Sequence, residues 1–336
     1  MSHRALLLLV VCVSLAGCAG TTYEARPLPS WVDGPARQSI LDVVARATDA
    51  DGPQFVPPDE RIAVFDNDGT LWAEQPFYFQ LAFAMDRAIA LAPERPEWAD
   101  VEPFASAIQG NVQGVMASGE HGLLQLIEAT HGGMTSTEFA GQVERWTATA
   151  RHPELDRPYT ELVYQPMLEV LDYLRANEFK TFIVSGGGIE FMRVFAQRVY
   201  GVPPEQVIGS QMALEFEQTL EGPALHRLPE LAFLNDKGAK PVAIQQHIGR
   251  RPTVAFGNSD GDLQMLQWTM GGDAARLAVL VRHTDAAREW AYDRSSPIGR
   301  LDKALDEARL RGWTVVDMGR DWKTVFPSER ASVTAK

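Results

Sequence analysis

The run Ile62-Ala63-Val64-Phe65, followed by Asp66-Asn67-Asp68-Gly69-Thr70-Leu71, constrains this chain more than any other segment. An unbroken β-branched and aromatic run reads as a strand buried on both faces, as in a parallel sheet covered by helices. Asp, Asn and Gly then favour a turn over more strand. Two carboxylates therefore stand at the carboxyl end of a buried strand, where open α/β sheets bind their ligands.

Of three later segments, two repeat this layout of apolar strand followed by polar loop and one opens a helix. Lys180-Thr181-Phe182-Ile183-Val184 ends in Ser185-Gly186-Gly187-Gly188, and Phe191, Val194, Phe195 and Val199 then recur at helical spacing. Bare backbone N–H groups at such a helix start can receive a phosphate. Asn235-Asp236-Lys237-Gly238-Ala239-Lys240-Pro241 places two lysines before a helix, and Pro241 suits its first position, which favours Lys240 over Lys237 at the helix mouth. Thr253-Val254-Ala255-Phe256 feeds the acidic loop Gly257-Asn258-Ser259-Asp260-Gly261-Asp262 and then the helix Leu263-Gln264-Met265-Leu266.

Taken in order, these four segments resemble the motifs of the haloacid dehalogenase superfamily. The resemblance implies an α/β fold: a Rossmann-like parallel sheet with helices on both faces, plus an inserted helical cap. It implies Asp66 as nucleophile and Asp68 as general acid and base. Ser185, Gly186 and Lys240 would bind phosphate, and Mg2+ would be held by Asp66, Asp68 and Asn258 or Asp262. Family members usually carry aspartate where this chain has Asn258. An amide oxygen still ligates a hard cation, with one charge fewer. The second acid, Asp68, favours phosphatase over dehalogenase, because an alkyl halide has no leaving oxygen to protonate.

The same loop satisfies the Gly-x-Ser-x-Gly nucleophile elbow of serine esterases, with Ser259 as nucleophile. That reading needs a downstream histidine, and His283 is the one His after Ser259. It lacks an upstream His-Gly-Gly-Gly segment and leaves Asp66 and Ser185 unexplained. His283, beside Asp285, reads as an ordinary surface or loop histidine.

Over a hundred residues separate the first two motifs, far more than a βα connection needs. The insert reads as helical: Thr135-Ser136-Thr137-Glu138 is a capping box, followed by Phe139, Val143 and Trp146 at helical spacing. The expected division is a core of 59–73 and 160–336 with a cap of 74–159. Phosphoserine phosphatases are the family members that the chain resembles most, which implies that Glu74 meets a substrate amino group. Trp72, Phe77, Tyr78 and Phe79 cluster around it, an arrangement that could instead hold phosphorylcholine by cation–π attraction. A pyrophosphate-type phosphatase and a non-catalytic lipoprotein with the same fold stand as further alternatives. The remaining strands read as Gln206–Gly209, Leu277–Val281 and Thr314–Asp317.

At the amino terminus Arg4 precedes an apolar run, Ala5 to Val13, too short to span a bilayer and suited to a signal peptide. Leu15-Ala16-Gly17-Cys18 resembles the bacterial lipoprotein processing box, which implies a signal at 1–17, acylation of Cys18 and a membrane anchor. Ala19 after the cysteine implies the outer membrane, facing the periplasm, in the cell envelope. Residues 18–58 read as a tether and a short helix, the helix carried by Ile40, Val43, Val44 and Ala47. Cys12 leaves with the signal, so the mature chain has no thiol left to pair. Loss of Arg4 takes the formal charge from −13 to −14, and no basic run offsets it. That argues against a nucleic-acid partner and for a small phosphorylated substrate gripped by local positive charge.

Overall fold

The computed structural model describes residues 26–220 and 222–327. Cys18 and the signal segment 1–17 lie outside the described residues. Nine strands form one sheet: β1 (Ile62–Phe65), β2 (Met134–Thr135), β3 (Lys180–Gly188), β4 (Val207–Thr219), β5 (Gly222–Phe233), β6 (Val254–Gly257), β7 (Leu277–Thr284), β8 (Ala291–Tyr292) and β9 (Thr314–Asp317). The order β4-β3-β1-β6-β7-β9 is parallel throughout. From β1 the chain builds outward through β3 and β4, then returns to the other side of β1 for β6, β7 and β9. The strand order therefore reverses beside β1, and the carboxyl end of β1 is the crevice such a reversal opens.

Twelve helices accompany the sheet. The first, α1 (Pro35–Thr48), buries Ile40, Val43, Val44 and Ala47. Four follow β1 in the insert: α2 (Phe79–Leu91), α3 (Phe104–Ile108), α4 (Val112–Ala117) and α5 (Gly119–His131). Next, α6 (Ser136–Thr149) opens on the expected capping box, with Thr135 and Glu138 bonded reciprocally. The core resumes with α7 (Gln165–Ala176), α8 (Ile189–Tyr200), α9 (Ala239–His247), α10 (Leu263–Met270), α11 (Lys303–Arg311) and α12 (Met318–Asp321).

All four residues of β1 are fully buried, so its two faces feed two cores. Phe65 stacks on Phe256 of β6 with ring centroids 4.7 Å apart on one face, and Ile62 and Val64 join Ala255, Leu266 and Leu280 on the other. Each fully buried side chain of this size contributes roughly 1.5–3 kcal/mol. A third, smaller core lies wholly within the insert, where Leu81, Met85, Val115 and Leu126 pack together.

Two features differ from the sequence expectation. The strand expected at Gln206–Gly209 continues to Thr219, leaving its parallel partner β3 to pair antiparallel with β5 as a long hairpin. The hairpin reaches the insert, where β5 pairs with β2 through Met134–Arg227. Alternation of polar and apolar residues beyond Ser210 hid this extension, since one face of the hairpin meets solvent. The expected tether also ends early: Leu28 and Trp31 are buried, and Trp31 meets Trp322 edge-on at 5.9 Å.

Candidate active site

The carboxyl ends of β1, β3 and β6 and the first turn of α9 bring the motif residues together. Asp66 continues β1, its amide donating to the Phe256 carbonyl at 2.9 Å. The backbone then turns sharply at Gly69, whose φ of +73° favours glycine, and a Cβ there would overlap the side chains of Asn258 and Glu74. That close approach of loop to loop makes the 66–71 segment compact enough to face both Ser185 and Asn258.

Lys240 is the lysine in the site. Its ammonium, 3 % exposed, donates to Asp66 Oδ1 at 2.7 Å and to Asp262 Oδ1 at 2.6 Å. The α9 helix starts at Ala239, so Lys240 sits inside its first turn rather than just before it. Lys237 is 65 % exposed and pairs with Asp236 at 3.0 Å. Burial works against the charge on Lys240, but its two carboxylates outweigh it and push the pKa up.

Asp262 has both oxygens engaged. Oδ1 takes the lysine, and Oδ2 accepts the amides of Asn258 at 3.0 Å and Ser259 at 3.1 Å. Asp262 thus braces the loop and the lysine from behind. Asn258 faces inward: its Oδ1 accepts from Thr70 Oγ1 at 3.1 Å, and its Nδ2 donates to Glu74 Oε1 at 2.7 Å. Asp68 is oriented separately, by Trp72 Nε1 donating to its Oδ1 at 2.8 Å.

Glu74 lies deeper than a cap residue meeting substrate would. It is 2 % exposed, and the same Oε1 that receives Asn258 also accepts the Tyr292 hydroxyl at 2.7 Å. Burial raises its pKa to about 8. Of the neighbouring aromatics, Trp72 and Phe79 are buried, with Trp72 stacked on Phe195 at 4.8 Å, and Tyr78 lines the cavity beside Glu74.

The Ser185 loop forms the other wall. Ser185 is fully buried, its Oγ accepting the Gly187 amide at 3.0 Å, and Asn235 Nδ2 donates to its carbonyl at 3.0 Å. The Gly188 amide, at the start of α8, donates to Gln80 Oε1 of α2 at 2.7 Å, tying this loop to the insert.

His283 corrects the reading of it as a surface histidine. It is 3 % exposed, its Nε2 is 2.8 Å from the Gly69 carbonyl, and its Nδ1 is 3.0 Å from Glu289 Oε2. It holds the turn after Asp68 from below. Both ring nitrogens are committed, and Ser259 Oγ donates to Asp262 Oδ2 at 3.3 Å. The elbow serine therefore has no base, and the esterase reading loses its triad.

Whether this constellation suits a hard divalent cation is decided by its charge and donors. Asp66 and Asp262 share the Lys240 ammonium, and Asp68 and Glu74 stand beside them without a bonded cation. Burial, with Asp262 alongside, pushes Asp66 well above the usual carboxylate range, and burial also raises Asp68. Uncompensated negative charge beside oxygen donors is the environment that Mg2+ requires. The Asp66 carboxylate, the Asp68 carbonyl and the Asn258 amide oxygen are hard donors of that kind. Among the described residues no group of three or more His, Cys, Asp or Glu side chains makes a metal cluster, as follows from an amide at position 258 and from the engaged oxygens of Asp262.

Sequence reasoning missed Trp72, Tyr292, Gln80 and Glu289 as supports of this site. Trp72 carried a signal in its position four residues after Asp68; the others come from distant segments with none.

A parallel sheet with its acids at the strand-order reversal, beside an inserted helical module, defines a doubly wound α/β protein with its ligand crevice at those acids. Residues 63–267 match the model of the haloacid dehalogenase-like hydrolases, and the chain belongs to that family. Comparison with curated proteins finds no match. Among solved structures, it is similar to a protein with unknown function from Bordetella pertussis Tohama I at 16% identity, over 77% of this chain and 99% of that one, with a TM-score of 0.49. A phosphoserine phosphohydrolase-like protein from Francisella tularensis subsp. tularensis SCHU S4 aligns at 18% identity over 66% of this chain and 87% of its own, with a TM-score of 0.35. A substrate-bound phosphoserine phosphatase complex aligns at 14% identity over 76% and 99% of the two chains, with a TM-score of 0.35.

Proposed function

We propose that the protein is a magnesium-dependent phosphatase that hydrolyses a small phosphomonoester through an aspartyl-phosphate. The observation that carries this reading is the unlike setting of two acids two residues apart: Asp66 pairs with Lys240 at 2.7 Å, and Asp68 is held apart by Trp72 at 2.8 Å. Two carboxyl groups in different surroundings divide nucleophilic and acid–base work.

In the first step an Asp66 carboxylate oxygen bonds to phosphorus as the bond from phosphorus to the ester oxygen breaks. Asp68 gives its proton to that departing oxygen, and burial, which raises its pKa, keeps the proton available. In the second step Asp68 takes a proton from water, whose oxygen attacks the phosphorus and releases Asp66 and inorganic phosphate. Splitting one displacement in two is the gain from a covalent route. Lys240 holds Asp66 in line and, with Ser185 and the Gly186 amide, offers donors to the phosphoryl oxygens. Magnesium would be held by Asp66, the Asp68 carbonyl and Asn258, where it supplies charge stabilisation for the transferring group. Asn258 is preferred over Asp262 because the Asp262 oxygens already take Lys240 and two backbone amides, whereas Asn258 Oδ1 takes one hydroxyl, that of Thr70.

We place this activity in the bacterial cell envelope, with Cys18 as the lipid attachment point, on the strength of the Leu15–Cys18 segment. Fatty-acid labelling that survives Cys18→Ala would remove the anchor. A panel of phosphomonoesters assayed with and without magnesium tests the reaction. Turnover that chelation abolishes and beryllofluoride inhibits is expected, and an inert panel would sink the phosphatase reading.

A further inference from the structure

Above the phosphate-binding floor, a cavity of about 560 Å³ extends between the insert and the hairpin, with Asp66, Asp68, Ser185 and Lys240 at its base. That volume is typical of small-molecule sites and leaves room well beyond a phosphoryl group. The upper walls are apolar. Leu81 of α2, Met116 of α4, Leu123 and Ile127 of α5, and Leu231 of β5 face into it, with Leu234 just past the hairpin.

The amides and the cations among these walls are already satisfied within the protein, and Glu120 of α5 stands exposed at the rim. Arg227 is 3 % exposed, pairs with Glu190, donates from Nε to the His131 carbonyl at 2.8 Å and lies 3.9 Å from the Phe139 ring centroid. Gln80 spends its oxygen on Gly188 and its nitrogen on His131 at 3.2 Å. Ser210 donates to the Gly186 carbonyl and accepts the Asn235 amide. Glu74, at the base of the cavity, gives one oxygen, Oε1, to both Asn258 and Tyr292. Lys237 is bound to Asp236 near the solvent edge. A zwitterionic leaving group such as serine would bring a carboxylate into this space and strip it of water without gaining an unpaired cation, a cost of several kcal/mol.

We propose that the site takes a phosphomonoester of an uncharged, largely apolar alcohol, the alcohol portion lying against α5 and β5. The inference rests on the phosphatase reading and extends it to substrate class. Its physical basis is area: apolar walls reward each methylene removed from water, and cations that are already paired leave an acidic head without a partner.

The test compares butyl, hexyl and octyl phosphate with phosphoserine as substrates of the full protein with magnesium. From butyl to hexyl phosphate, kcat/KM is expected to rise about fourfold per methylene, the equivalent of about 0.8 kcal/mol each, and phosphoserine is expected to fall below butyl phosphate. A flat chain-length series, or a preference for phosphoserine, overturns the substrate class and leaves the phosphatase standing. Calorimetry with butyl- and hexylphosphonate needs no turnover: tighter binding of the hexyl compound supports the apolar site even if no ester is hydrolysed, and equal binding overturns it. Leu123→Asp and Leu231→Asp, on separate elements, should each flatten the chain-length dependence in protein that still melts cooperatively; an unchanged slope in both overturns the assignment of the walls.

Discussion

The amide nitrogen of Asn258 donates to Glu74 Oε1 at 2.7 Å, which turns the Asn258 oxygen toward Thr70 and the loop after Asp66. One carboxyl group thereby fixes which way the Asn258 amide faces. Asn258→Asp would set acceptor against acceptor in a buried site. In chelator, the variant is expected to lose on the order of 1–3 kcal/mol of stability. Glu74→Gln in that background restores a donor, and the double variant should melt near the parent and bind magnesium more tightly by calorimetry. Equal stability of parent and Asn258→Asp would show that the contact orients nothing.

Asp66→Asn should abolish turnover and leave the circular dichroism spectrum unchanged, because an amide oxygen still accepts from Lys240. Asp68→Asn should cost roughly 10²–10⁴-fold, the usual size of a general acid–base contribution. The loss should be larger for alkyl than for aryl phosphates, whose leaving groups need less protonation. Equal losses would take Asp68 out of that role.

Removing the shared ammonium should reach stability as well as rate. Lys240→Met leaves Asp66 and Asp262 buried against each other, and breaking a buried pair in this way costs about 3–5 kcal/mol. Lys237→Met, on the exposed lysine, should stay within about 0.5 kcal/mol. Urea midpoints of the two variants check the contrast, and similar midpoints would contradict it.

Ser259→Ala should retain most phosphatase activity, and fluorophosphonate probes should leave the protein unlabelled. The serine accepts the Gly261 amide at 3.2 Å as a helix cap, so its loss should cost about 0.5–2 kcal/mol in stability. Covalent labelling at Ser259 would overturn the choice of nucleophile.

His283 predicts a pH dependence. Burial lowers its pKa, but Glu289, together with Glu74 and the Gly69 carbonyl, outweighs burial and raises it. A histidine whose folded pKa is raised contributes stability fully present below about 6.5, the unfolded value, and lost as pH rises through the folded value. Stability of the parent should therefore decline on the alkaline side of about 6.5 relative to His283→Gln, as followed by urea midpoints from pH 6 to 9. Parallel profiles for the two proteins would rule out a charged His283.

The sequence was most legible where chemistry and strand ends coincide. Asp66, Ser185, Lys240 and Asn258 each follow or begin an element whose period is plain, so order along the chain stood in for proximity in space. The supports of the site were hidden for the opposite reason. Tyr292 and Glu289 belong to a loop and a two-residue strand without period, and they matter through partners more than 100 residues away. His283 shows the limit most clearly: local sequence gave it a polar neighbour, Asp285, and the fold gave it Gly69. The hairpin was truncated because alternation that faces both a cavity and solvent carries too weak a signal to set a strand's length.

Because β4 belongs to the central sheet at Val207–Ser210 and to the hairpin beyond it, the wall above Asp66 and Asp68 is a cantilever clamped in that sheet. Reshaping its outer half by substitution leaves the anchoring register with β3 untouched. The chain thus separates inheritance from adaptation along a single strand, with the geometry of the reaction secured at one end and the fit to the leaving group adjustable at the other.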